Sequence, residues 1–168
     1  MKTSRSIYTF AIGVLTMPLL GAGVAAKKTA LITIPATFEV NATPTKVWAS
    51  LTSIEGFGTL TGFQPQAGQK PSAFSKVGDH LLAQVWEDKG RLIVTEFVPV
   101  RELRVAWEPE KGHYLCQKRV VLSPSGGGTS VEYWDRYTDD QLNADDTAKQ
   151  VVADTEKHIE AFRRLVEK

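Results

Sequence analysis

The stretch Val151-Val152-Ala153-Asp154-Thr155-Glu156-Lys157-His158-Ile159-Glu160-Ala161-Phe162-Arg163-Arg164-Leu165-Val166 reads as an amphipathic helix. Val151, Val152, Thr155, His158, Ile159, Phe162, Leu165 and Val166 recur at helical spacing, and Lys149, Glu156, Lys157, Glu160, Arg163 and Arg164 fall mostly on the other side. Just upstream, Asn143-Ala144-Asp145-Asp146 supplies N-cap candidates and early acids, which a helix N-terminus favours. The helix should run for roughly 22 residues, about 33 Å. So long an apolar stripe must be buried, and the rest of the chain has to supply the surface that covers it.

That surface reads as a sheet. Residues 80–87, 91–98, 101–108, 114–122 and 129–138 have strand character. The third of these alternates cleanly, with Leu103, Val105 and Trp107 on one face and Arg104 and Glu108 on the other. Turn signals separate the runs: Asp88-Lys89-Gly90, Pro99-Val100, residues 109–112 and the glycine-rich residues 123–128. Short connections between sequential strands predict an antiparallel meander. Gly126-Gly127-Gly128 precedes a strand rather than a helix, so it is a hairpin turn and not a phosphate loop. Before the meander, residues 27–40 read as a further strand, expected to pair best after Pro35. Thr43 and Pro44 then open a short helix over 44–52, with Val47, Trp48 and Leu51 on its apolar side. Ile54, Phe57, Leu60 and Phe63 recur every third residue among Gly56, Gly58, Gly62 and Gly68, which predicts a second short helix and then a loop. The class is therefore α+β: a curved antiparallel sheet of about six or seven strands around a long C-terminal helix, with short helices after the first strand.

The first 26 residues stand apart. Lys2 and Arg5 precede a mostly apolar run over 7–20, and small residues fill 21–26. This is the pattern of a secretory signal peptide, with cleavage expected near Ala26. The apolar run is shorter than the roughly 20 residues a membrane span needs. The expected organisation is a leader over 1–26 and one domain over 27–168, acting in the periplasm or outside the cell. Removing the leader takes away Lys2 and Arg5 and no acid, leaving 18 bases against 19 acids and turning the formal net charge from +1 to −1. Such a balance, without a basic run, argues against nucleic acid as a partner and gives electrostatic docking on a membrane little support; no stable membrane insertion is expected after cleavage. The single cysteine, Cys116, cannot form an internal disulfide and reads as a buried small hydrophobe. His80, His113 and His158 have no metal-ligand spacing, so neither a metal nor a cofactor is expected.

Three segments resemble the START-like (SRPBCC) superfamily, which includes polyketide cyclases, lipid-transfer proteins and birch-pollen-type allergens. Residues 38–48, Phe-Glu-Val-Asn-Ala-Thr-Pro-Thr-Lys-Val-Trp, resemble its opening strand and Pro-x-x-Val-Trp helix start. Residues 95–103 resemble its mid-sheet hairpin, and residues 126–131 the turn into its last strand. The resemblance covers residues 32–166 and implies a helix-grip fold, with a cavity between sheet and final helix that holds a lipid, polyketide or other small apolar molecule. It implies no particular reaction, because one fold hosts many functions.

The residues expected at that cavity come from both lines of reading. Trp86 and Trp107 each end an alternating strand, Phe57 and Leu60 lie on the glycine-rich stretch, and His158 and Phe162 lie on the helix stripe. Arg119 and Glu132 are mid-strand polar residues; facing inward they would orient a polar ligand head, and facing outward they would form cross-strand pairs in solvent. The expected function is binding or transport of a small hydrophobic ligand without catalysis. The alternative is a polyketide cyclase/dehydratase-like enzyme using His158 with an acid such as Glu96 or Glu132. The sequence leaves the oligomeric state open.

Overall fold

The computed structural model describes residues 13–15, 30–66, 72–111, 114–139 and 144–168. In chain order the elements are β1 (Gly13–Leu15), β2 (Ala30–Val40), α1 (Pro44–Thr52), α2 (Ile54–Thr61), β3 (Gln64–Pro65), β4 (His80–Val85), β5 (Asp88–Val98), β6 (Glu102–Pro109), β7 (Cys116–Ser125), β8 (Gly128–Asp139) and α3 (Ala144–Val166). The strands form one antiparallel sheet ordered β1-β2-β8-β7-β6-β5-β4-β3. It curls into a half-barrel, and α3 packs on β2, α1 and α2. This is the helix-grip α+β architecture.

Local chemistry sets the helices. Thr43 caps α1, its side chain accepting from the Lys46 amide at 3.4 Å, and Pro44 occupies the first turn. Ser53 ends α1 and caps α2, accepting from the Gly56 amide at 3.0 Å. Gly62 closes α2 at φ +77°, a conformation that glycine adopts without a Cβ penalty. Along α3, Ala148, Val151, Thr155, Ile159, Phe162 and Val166 are buried. Each large apolar side chain removed from water contributes about 1.5–3 kcal/mol, so this stripe is a main reason the helix stays on the sheet. Trp48 meets Phe97 edge-on at 5.2 Å and Phe57 meets Phe74 at 5.3 Å, tying α1 and α2 to the same core.

Several details differ from the sequence reading. β2 pairs with β8 along its whole length, before Pro35 as well as after it. Pro35 is tolerated because β1 covers only Leu31 to Thr33, so no described strand lies on its far side. The first hairpin turn of the meander is at Trp86-Glu87 rather than at Asp88-Lys89-Gly90. Gly90 lies inside β5, where a Cβ would stand 2.3 Å from the Glu108 carbonyl oxygen and 2.8 Å from the Trp107 ring. That glycine serves a close approach, not a turn. Trp86 adopts φ +49°, a left-handed conformation that is uncommon for a bulky residue and that a glycine or asparagine would adopt more easily. Of the expected leader, Gly13–Leu15 form β1; the cleavage point near Ala26 lies outside the described residues, as do Gly68, His113 and Asn143.

Candidate functional site

A cavity of about 650 Å³ opens between the concave face of the sheet and α3. The turn after α2 contributes Thr61, Gly62, Phe63 and Gln64, and the β4–β5 hairpin contributes Val85, Trp86 and Asp88. Trp107, Tyr114, Cys116, Lys118, Asp135, Tyr137 and Thr138 line it from the sheet side, and Thr147, Val151, Asp154, Thr155 and His158 from α3. Such a volume, with mixed apolar and polar walls, suits a small organic molecule.

The inner end is built on one cross-strand position. Lys118 of β7 stands directly opposite Asp135 of β8. Both point to the concave face, which otherwise carries Val120, Leu122, Val131 and Tyr133, and both are buried, at 6 % and 4 % exposure. Lys118 Nζ donates to the Asp135 carboxylate and, at 3.3 Å, to the Tyr133 hydroxyl. It also lies 5.3 Å from the centre of the Phe63 ring. Burial is the largest single influence on the Lys118 ammonium and favours its neutral form, but the Asp135 charge, its hydrogen bond and the neighbouring Tyr133 and Cys116 together outweigh it and hold the proton on lysine. Burial, reinforced by Asp135, pushes the Cys116 thiol up to about 12, so it is neutral and no nucleophile at physiological pH. Its Sγ lies 3.9 Å from Asp135 Oδ1.

Across the cavity, His158 is half-buried. Burial lowers its pKa, and the Lys118 charge lowers it further, so the imidazole is neutral near pH 7. A Cβ at Gly62 would fall 2.5 Å from His158 Cε1, so the glycine that ends α2 also makes room for this ring. The outer end is aromatic. Trp107 Nε1 donates to the Tyr114 hydroxyl at 2.9 Å, which donates to Asp88 Oδ2 at 2.7 Å. Phe63 stacks at a tilt on Trp107 at 4.9 Å, and Trp86 stands 60 % exposed at the hairpin tip. Burial, then the Asp88 hydrogen bond, raises the Tyr114 phenol above its ordinary value, keeping it a donor.

Of the residues expected at the cavity, Trp86, Trp107 and His158 line it. Phe57, Leu60 and Phe162 are fully packed in the core and form no part of its wall. Arg119 lies on the opposite sheet face, where its guanidinium grips Glu102 at 2.6 and 3.1 Å, and Glu132 is exposed on that face too. Glu96 pairs in register with Arg104 there. The acids that share the cavity with His158 are instead Asp88, Asp135 and Asp154. The sequence carried a signal for the central pair. Lys118 interrupts the period-two series Cys116, Val120, Leu122, and Asp135 interrupts Val131, Tyr133, Tyr137. Among the described residues no group of three or more His, Cys, Asp or Glu side chains is set to hold a metal, and no helix is long and apolar enough to cross a membrane.

No family model matches the chain, and no curated protein matches it by sequence. Solved structures do. CalU16 from Micromonospora echinospora is 17 % identical with a TM-score of 0.56, over 95 % of this chain and 83 % of its own. The Aha1 dimer protein from Colwellia psychrerythraea is 13 % identical with a TM-score of 0.58, over 80 % of this chain and 96 % of its own. DynU16, from the dynemicin biosynthetic locus, is 16 % identical with a TM-score of 0.61; the match takes in 81 % of this chain and 47 % of that one. At these identities the likeness is one of fold alone, the helix-grip.

Proposed function

We propose that the protein binds a small hydrophobic ligand, a lipid, polyketide or similar molecule, in the cavity between sheet and C-terminal helix, and carries it as a member of the START-like superfamily. The observation that carries this reading is the Lys118–Asp135 pair on the cavity wall. A buried ion pair adds little to stability compared with apolar residues of the same size. Its presence on an otherwise apolar face makes sense where a ligand's polar group meets it. The locus of DynU16, a neighbour in fold, also fits a polyketide-like molecule. The charge pattern of residues 1–26 supports action in the periplasm or outside the cell.

A second reading, a polyketide cyclase/dehydratase-like enzyme, draws on the neutral His158 and the protonated Lys118 that face the same space. A base and an ammonium would respectively accept a proton and steady a developing oxyanion. Native mass spectrometry of protein purified from its own envelope fraction, before and after organic extraction, tests the first reading. A co-purifying mass lost on extraction is the expected result. Recovery of an unliganded protein that also fails to take up any added apolar molecule would overturn it. An altered product after incubation with a candidate molecule would favour the second reading.

A further inference from the structure

The outer end of the cavity has a chemistry of its own. The cavity as a whole carries three carboxylates, Asp88, Asp135 and Asp154, against one lysine, Lys118. Two of the three are already answered: Asp135 by Lys118, and Asp154 by Lys157 Nζ at 3.3 Å and Gln150 Nε2 at 3.0 Å. Asp88 is different. It accepts from the neutral Tyr114 hydroxyl, and among the described residues no lysine or arginine pairs with it. Around it stand three aromatic residues of the same cavity wall: Tyr114 in direct contact, Trp107 one hydrogen bond further, and Trp86 two residues earlier on the same hairpin. Trp86 holds the positive φ that the first position of this two-residue hairpin turn takes, but a bulky, 60 % exposed tryptophan is not the residue that turn favours.

A carboxylate without a cation, bordered by indole and phenol rings, is the composition that recognises an alkylated ammonium: the ring faces attract the charge and the carboxylate fixes it. We propose that the outer end binds the basic nitrogen of the ligand, which is therefore a hydrophobic amine or quaternary ammonium compound rather than a fatty acid or other carboxylate. Asp88 is the counter-ion, and Trp86, Trp107 and Tyr114 form the walls. This rests on the reading that the cavity holds a ligand, and it adds the ligand's charge. An anionic head would be repelled by the Asp88 charge at the mouth, and a cation would be attracted to it.

Calorimetric titration of the purified protein with three probes of one shape tests this: naphthylmethyl-trimethylammonium, naphthylmethanol and naphthoate. The ammonium should bind about tenfold more tightly than the alcohol, and naphthoate weakest. Asp88→Asn, which keeps an acceptor for Tyr114, should remove most of the ammonium's advantage over the alcohol, leaving what the rings supply. Trp86→Ala, at an exposed position, should weaken the ammonium severalfold while the circular dichroism spectrum stays unchanged. Equal binding of ammonium and alcohol, a preference for naphthoate, or a preference undiminished by Asp88→Asn would overturn the amine assignment while leaving the cavity reading intact. Failure of all three probes to bind would overturn both.

Discussion

Lys118 and Arg119 are neighbours in sequence, yet they occupy opposite faces of β7 and opposite physical regimes. Lys118 faces inward, is almost entirely buried, and meets Asp135 across the strand pair. Arg119 faces outward, with 30 % of its side chain exposed, and grips Glu102 beside Arg104. The outer face continues as a set of stacked charges and rings, with Arg104 and Arg136 lying 6.0 and 4.8 Å from the Trp134 ring. Both faces hold a cation and a carboxylate. Outside, water screens each partner, and losing one leaves the other solvated. Inside, losing one leaves a charge stranded in an apolar wall. Two adjacent positive residues can thus serve quite different ends, one on the surface of the sheet and one inside a cavity.

The largest expected effect is on the inner face. Asp135→Ala or Lys118→Ala should each lower stability by about 3–5 kcal/mol in urea unfolding, because the surviving buried charge has lost its counter-charge. A loss below about 1 kcal/mol would mean that water reaches the pair and that the two faces are alike. Next is Gly62→Ala, which should cost about 1–3 kcal/mol, combining the positive φ with displacement of the His158 ring. Its urea midpoint should drop and the His158 imidazole NMR signal should shift; an unmoved signal would show that the ring and Gly62 are not in contact. On the outer face, Glu102→Ala should cost only about 1 kcal/mol or less, and adding salt should narrow the difference between variant and parent.

The smallest effects concern pH and run on different carboxyl and imidazole groups. The hydrogen bond from Arg119 lowers the Glu102 pKa below its ordinary value, against the opposing effect of burial. Its contribution to stability is therefore complete above the ordinary carboxylate range and fades as pH falls through the folded value. Burial lowers the pKa of His158. The unfolded chain then takes up its proton first, so stability is complete above about pH 6.5 and declines as pH drops toward the folded value. Comparing the parent with His158→Gln between pH 7.5 and 5, as a ~2.5-unit scan set around that ordinary value, should show the decline in the parent alone. A flat parent curve would mean that folding leaves the His158 pKa unchanged, and a curve that rises on acidification would mean that His158 gains a proton on folding; either contradicts the burial effect.

Much of the architecture was legible in the sequence because it follows from periodicity. The stripe from Val151 to Val166, the alternation Leu103-Val105-Trp107 and the cap at Thr43-Pro44 each point to one local answer, and α3, β6 and α1 occupy those places. Gly90 misled because glycine serves turns and close approaches alike, and the Trp107 ring that excludes a Cβ there is distant in sequence. The site was harder to read. Trp86, Trp107 and His158 were findable as aromatic or polar residues at the ends or on the stripe of their elements. Phe57, Leu60 and Phe162 look the same in sequence whether they line a space or fill one. Lys118 and Asp135 break an apolar face, but Arg119 and Glu132 on the alternate positions of the same two strands carry equal charge, and only the packing of the folded sheet decides which face turns inward.

The most direct measurement is on the double variant Lys118→Met with Asp135→Leu, which removes both charges and keeps apolar volume. Urea unfolding and native mass spectrometry of the same preparation read stability and bound mass together. If the pair is held for a ligand rather than for the fold, the double variant keeps the parent's stability within about 1 kcal/mol, or exceeds it, and loses the co-purifying mass. Retention of that mass, or a loss of stability as large as that of either single alanine variant, would contradict it.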